Sequence, residues 1–170
     1  MTRLVVGVAD CLVSSDPEGA LVTYALGSCI GLVVFDPAVR VAGLLHFMLP
    51  DSTIDPERAR QNPWMFADTG IPRLFHAIYG LGGEKRRLIV RAAGGAQVLD
   101  DHGFFNVGKR NCLTLRKILW RAGVMLENEE TGGTVSRSIR LEVGTGRLWL
   151  RTAGEQEHEL GLAATARKGC

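Results

Sequence analysis

Long apolar runs are missing from this chain of 170 residues. The longest clean one, Ile30 to Phe35, has six residues, against the ~18 a membrane-crossing helix needs. Membrane insertion is not expected. The N-terminus, Met1-Thr2-Arg3-Leu4-Val5-Val6-Gly7, runs into Asp10 without the apolar core of a secretory signal, which predicts a cytoplasmic protein. Cysteine is scarce and unpatterned: positions 11, 29, 112 and 170 form no C-x-x-C pair, and no His stands at zinc-finger spacing. Neither a disulfide framework nor a structural zinc site is suggested, and each cysteine reads as a free thiol. Charge of one sign is lacking too. The 20 Lys plus Arg and 18 Asp plus Glu leave a formal +2 with no long basic block, which argues against nucleic acid as a partner. What the chain does have is 46% hydrophobic residues at single-domain length, enough for a packed core and inconsistent with a disordered or fibrous protein.

No internal repeat is visible. Leu4 to Val8 alternates and is β-rich, and Leu21 to Leu26, Ile30 to Phe35 and Val41 to Leu49 follow as closely spaced apolar segments, broken at Gly27-Ser28 and Asp36-Pro37. These predict strands. The polar, proline-containing stretch Asp51 to Pro63 predicts a surface loop. Ile71, Leu74, Phe75 and Ile78 recur at helical spacing, with Asp68 or Thr69 as cap, Pro72 in the first turn and Gly80 as the end. Arg87 to Ala92 predicts another strand. Leu115, Ile118, Leu119 and Ala122 predict a second helix, with Asn111 as N-cap and Gly123 as C′ stop. Val124 to Leu126 allows a strand, and Ile139-Leu141-Val143, Gly144-Thr145-Gly146, Leu148-Leu150 spells a hairpin. Strands outnumber helices, which predicts an α+β domain over residues 1–152, a mostly antiparallel sheet core carrying two main helices, with 153–170 as a flexible tail.

Chemistry concentrates in the hairpin formed by Ile30 to Phe35 and Val41 to Leu49. A two-residue turn at Pro37-Ala38 would set Cys29 directly across from His46; a four-residue loop would leave them diagonal on the same face. Either even loop keeps the two Cβ atoms roughly 4.5 to 8 Å apart, whereas an odd loop sends them to opposite faces. A thiol beside an imidazole is a nucleophile with its base, and pairing with His⁺ lowers a thiol pKa from its usual ~8.5. Gly27-Ser28 just before Cys29 is a flexible bend whose N–H groups can converge on a developing oxyanion. A small buried Cys and a core His bonded to a carbonyl would show the same spacing.

Other candidates are weaker. Cys11 and Cys112 lack a nearby His in sequence, Cys170 ends the tail, and His76, His102 and His158 read as solvated. Gly103 to Arg110 has the glycine and lysine spacing of a phosphate-binding loop, but Arg110 stands where Ser or Thr must hold magnesium. Lys85-Arg86-Arg87 reads as a solvated turn.

Two stretches, Thr23-Tyr24-Ala25-Leu26-Gly27-Ser28-Cys29-Ile30 and Gly43-Leu44-Leu45-His46-Phe47-Met48-Leu49-Pro50, resemble the signature of the CheD family, the chemoreceptor glutamine deamidases of chemotaxis. Gly94-Gly95-Ala96, Asn106-Val107-Gly108-Lys109-Arg110-Asn111, and Thr131-Gly132-Gly133-Thr134 followed by Arg137 agree with it, over roughly Leu4 to Leu150. Ser136 departs from an expected glycine. The resemblance implies a three-layer α/β/β sandwich and a catalytic triad of Cys29, His46 and Thr23, with backbone support from Gly27 and Ser28. It implies hydrolysis of receptor glutamines through a thioester, with glutamate methyl esters as a related substrate, and no metal or organic cofactor. Implied partners are the cytoplasmic helices of methyl-accepting chemoreceptors and a CheC-type phosphatase linked to phosphorylated CheY. Two other readings stay open: an adaptor that binds CheC or receptors with catalysis secondary, and a redox- or metal-responsive thiol at Cys29.

Overall fold

Apolar residues at nearly every position of two consecutive segments, Ile30–Asp36 and Val41–Phe47, require that a sheet built from them be covered on both faces. In the computed structural model, which describes residues 1–98 and 106–161, the elements are β1 (Thr2–Val5), β2 (Asp10–Ser14), β3 (Gly19–Leu26), β4 (Ile30–Asp36), β5 (Val41–Phe47), a short α1 (Pro56–Gln61), α2 (Ala67–Gly80), β6 (Ile89–Gly94), α3 (Val107–Arg121), β7 (Asn128–Thr131), β8 (Arg137–Glu142), β9 (Leu148–Thr152) and β10 (His158–Glu159). A central sheet has the order β2-β5-β4-β6-β7 and an outer sheet the order β1-β3-β8-β9-β10. Their pairings are antiparallel except β1 with β3 and β6 with β7.

β4 and β5 are buried throughout, as expected for strands with layers on both sides. Ile30, Leu32 and Val34 of β4, with Leu45 and Phe47 of β5, pack under Ile71, Leu74 and Ile78 of α2 and Leu115 of α3. The opposite face, with Val33, Phe35 and Leu44, packs on Leu21 of β3 and on Ile139, Leu141, Leu148 and Leu150 of β8 and β9. β8 and β9 have only one covered face, so their buried residues alternate with more exposed ones. The layers are therefore helices, central sheet and outer sheet: an α+β fold of the α/β/β sandwich type, with α2 and α3 as its main helices.

Several local readings shift. α2 starts at Ala67, with no side-chain cap; the carboxylate of Asp68 instead accepts from Ser52 N and Oγ, and Thr69 Oγ1 donates to Pro63 O. Pro72 consequently lies inside the helix. The loop expected over 51–63 contains α1, capped by Asp55. α3 begins after Asn106 in a left-handed conformation, which leaves Asn111 one turn inside the helix and fully buried. The helix stops at Gly123, whose φ of +67° favours glycine. The strand after it is β7, not Val124 to Leu126. Residues 158–159 of the stretch read as a tail pair with β9, and Leu160 is buried; residues 162–170 lie outside the described residues. So do 103–105, the start of the phosphate-loop-like stretch, and His102. In the basic cluster, Arg87 is not merely solvated: it pairs at 2.8 Å with the buried carboxylate of Asp36.

Candidate active site

β4 and β5 pair as Ile30 with Phe47, Gly31 with His46 and Asp36 with Val41, so residues 37–40 form a four-residue connection. Asp36 closes it by accepting from Ala38 N, and Arg40 supplies a positive φ of 52°. This is the second of the two even-loop registers, and it leaves Cys29 and His46 as diagonal neighbours on the face toward the outer sheet. Cys29 packs against that inter-sheet cluster. Gly31 stands directly across from the imidazole, and the space a side chain there would need is filled by Ile139 and Leu26, whose methyls stand 2.8 and 2.9 Å from where a Cβ would be.

His46 is fully buried. Its Nδ1 lies 2.8 Å from Thr23 Oγ1, on β3 of the outer sheet. The same hydroxyl lies 2.7 Å from Val6 O, a carbonyl that can only accept. A hydroxyl has one hydrogen, so Thr23 donates to Val6 O and accepts from His46 Nδ1–H. The ring is thereby fixed in the tautomer whose Nε2 carries the free lone pair, and Nε2 has no hydrogen-bond partner among the described residues. Asp10 is the cross-strand neighbour of His46 on β2, but its carboxylate accepts from the backbone N–H of Gly7 and Cys11. Among the described residues no carboxylate holds the imidazole, and burial lowers its pKa from 6.5 to about 4. Burial also raises the Cys29 thiol, partly offset by its own backbone N–H. The expected thiolate–imidazolium pair is therefore not the resting state. At neutral pH the site holds a thiol and a neutral base.

Cys29 lies in a recess of about 470 Å³ lined also by Ala25, Gly27, Ser28, Val98 and Ser136. Among the described residues no charged side chain lines it. Thr23 and Leu26 flank a bulge in β3 where the register shifts and Ala25 takes a φ of +54°, which brings Ala25 to the recess. The bend 27–29 is tied down from β6 by Ala96 N donating to Gly27 O and Gly95 N donating to Cys29 O, each at 2.8 Å.

The separated glycine stretches converge behind the thiol. A Cβ on Gly94 would stand 2.2 Å from Cys29 O, and one on Gly108 would stand 2.6 Å from the carbonyls of Gly95 and Ala96, so backbone packs against backbone where a side chain cannot fit. Arg137, nearly buried, donates to Gly94 O and Gly132 O. Cys11, the other free thiol among the described residues, faces the helix layer; burial and Asp10 push it up to about 12. His76 and His158 are exposed, and no group of side chains suited to a metal ion occurs among the described residues. No helix of the described residues is long and apolar enough to cross a membrane.

The arrangement suits acyl transfer: a thiol in a recess with no charged lining among the described residues, an imidazole with one nitrogen unpartnered among them, and a hydroxyl hydrogen-bonded to the other nitrogen. Sequence comparison points the same way. The family model described as CheD chemotactic sensory transduction matches residues 48–152. A probable chemoreceptor glutamine deamidase CheD of Solibacter usitatus is 59% identical over 157 residues, 92% of this chain and 93% of its own. The probable deamidase CheD 1 of Syntrophus aciditrophicus is 47% identical over 94% of this chain and 100% of its own; CheD 2 of Anaeromyxobacter dehalogenans is 46% identical over 92% and 98%. These alignments span nearly the whole sequence on both sides, and with them the chain belongs to the CheD family.

Proposed function

We propose that this protein is a chemoreceptor glutamine deamidase in which Cys29, His46 and Thr23 form the catalytic triad. The observation that carries the reading is the neutral Nε2 of His46, oriented by Thr23 and left unpartnered on the same sheet face as the thiol. Among the described residues no charged side chain lines the recess, which supports an uncharged substrate group, a carboxamide or an ester, over a carboxylate, since a charge moved there without a partner is costly.

In the first step His46 Nε2 takes the thiol proton as sulfur attacks the side-chain amide carbon of glutamine. Charge gathers on the amide oxygen, where N–H groups of Ser28 and Cys29 receive it. The imidazolium returns the proton to nitrogen, ammonia leaves and a thioester remains. Water, deprotonated by His46, then attacks the thioester; glutamate departs and the thiol is restored. Thr23 accepts from Nδ1–H throughout, holding the ring at the right angle. A methyl ester of glutamate would give the same acyl-enzyme with methanol as leaving group. These steps call on no metal or organic cofactor.

Residues 1–152 are the proposed catalytic unit. The cytoplasmic helices of methyl-accepting chemoreceptors are the proposed substrate, and a CheC-type phosphatase, tied to phosphorylated CheY, is the proposed protein partner. Replacing a neutral amide by a carboxylate on a receptor helix changes its side-chain electrostatics and so biases signalling.

Incubation of the chain with a receptor cytoplasmic fragment, read by mass spectrometry, is expected to convert specific glutamines to glutamates; an unchanged fragment overturns the proposal. Thr23→Val removes the acceptor for Nδ1–H while keeping the side chain's shape. Its kcat is expected to fall on the order of 10²-fold, with KM nearly constant because the hydroxyl faces the ring and not the recess. Steady-state kinetics on the receptor fragment checks it.

A further inference from the structure

Where the β4–β5 ladder ends, a side chain takes over its role. The last register pair is Ile30 with Phe47, and beyond it the backbone carbonyls of Ser28 and Met48 face Asn111 of α3. Asn111 Nδ2 donates one hydrogen to Ser28 O at 2.9 Å and the other to Met48 O at 2.8 Å. One atom serving two carbonyls must be the NH₂ of the amide, so the partners themselves fix its orientation. Its Oδ1 is left buried with no hydrogen-bond partner among the described residues. The other buried side chains on this helix include Cys112, Leu115 and Leu119, so Asn111 brings a polar amide into an otherwise apolar face. An amide held there with half its capacity unused points to a task that packing does not perform.

The task follows from peptide geometry. In a trans peptide the C=O and the next residue's N–H point in opposite directions. With the Ser28 carbonyl drawn inward by Asn111, the Cys29 N–H of that same peptide is turned outward, toward the recess. We propose that Asn111 is a positioning residue that sets the oxyanion-binding donor at Cys29. Nothing in this role requires Asn111 to touch substrate. The inference rests on the acyl-transfer reading above and adds a fourth residue to it.

Two thiol reagents applied to the full chain separate positioning from mere support. A peptide aldehyde with a glutamine-like side chain adds the Cys29 thiol across its C=O: an S–C bond forms, the thiol proton passes to the oxygen, and affinity reports on stabilisation of that oxygen. Iodoacetamide alkylates the same sulfur by displacing iodide at a saturated carbon, and no oxyanion develops. Asn111→Leu is expected to weaken aldehyde binding about 10²-fold while the rate of Cys29 alkylation and the melting temperature stay near those of the parent. On the receptor fragment, kcat falls while KM holds. Proportional loss with both reagents, or loss with neither, overturns the proposal. If Asn111→Leu does not fold, Asn111→Asp keeps the size and offers at most one hydrogen. The same selective loss of aldehyde affinity is expected there, and a proportional loss again overturns it. Both reagents report on Cys29 directly, so a chain that fails to deamidate receptors still gives a readable answer about Asn111.

Discussion

Cys29→Ala is expected to abolish deamidation, with conversion of receptor glutamines falling by on the order of 10⁴-fold or more. The reason is structural as well as chemical. No second free thiol among the described residues can replace it: Cys11 lies on the opposite face of the central sheet against the helix layer, and burial with Asp10 pushes its pKa up to about 12. Fold should survive, because alanine removes one sulfur from a half-buried site at the mouth of a recess. The check is mass spectrometry of the receptor fragment alongside the melting curve of the variant. Conversion that persists in Cys29→Ala would refute the covalent mechanism.

His46→Gln is expected to lower kcat by on the order of 10³-fold, since among the described residues no other base lines the recess that holds the thiol. The same residue also makes stability depend on pH, with a definite sign. In the unfolded chain His46 titrates near 6.5, whereas burial lowers it to about 4 in the folded protein. Above pH 6.5 both states are neutral and the residue contributes no pH dependence. As pH falls from 6.5 toward 4 only the unfolded state gains the proton, so stability is lost over that window. Between pH 7.5 and pH 5 the loss is on the order of 2 kcal/mol, measurable by urea denaturation. In His46→Gln the difference between those two pH values should shrink by about this amount. An equal pH difference in both proteins would contradict a buried neutral imidazole. Activity is expected to hold down to about pH 5 and to fall below it as His46 takes a proton in the folded state.

That Cys29 and His46 share one sheet face was legible from parity alone, since any even connection between β4 and β5 keeps them there. Which even connection forms was not, because Asp36 decides it through distant contacts: it accepts from Ala38 N inside the loop but also from Glu84 N and Arg87, far along the chain. Thr23 could be named only through family resemblance. Its role exists because the outer sheet packs on the central one, and no local pattern in β3 carries that information. Asn111 went the other way. Its residue type favours a helix N-cap, and that preference lost to α3 starting at Val107, which put the amide inside the helix facing two carbonyls. β10 escaped notice because a two-residue edge strand leaves no periodicity to read.

Burial of the Cys29 sulfur bears on more than its reaction with glutamine. Peroxide and other cellular oxidants consume thiolates far faster than thiols, and the ladder from sulfenic to sulfonic acid begins with the anion. In the proposed mechanism, a nucleophile stored in its protonated form and ionised only while a bound amide accepts the sulfur would spend little time vulnerable to such damage. The desolvation that slows each proposed attack would thus also shield the sulfur between turnovers.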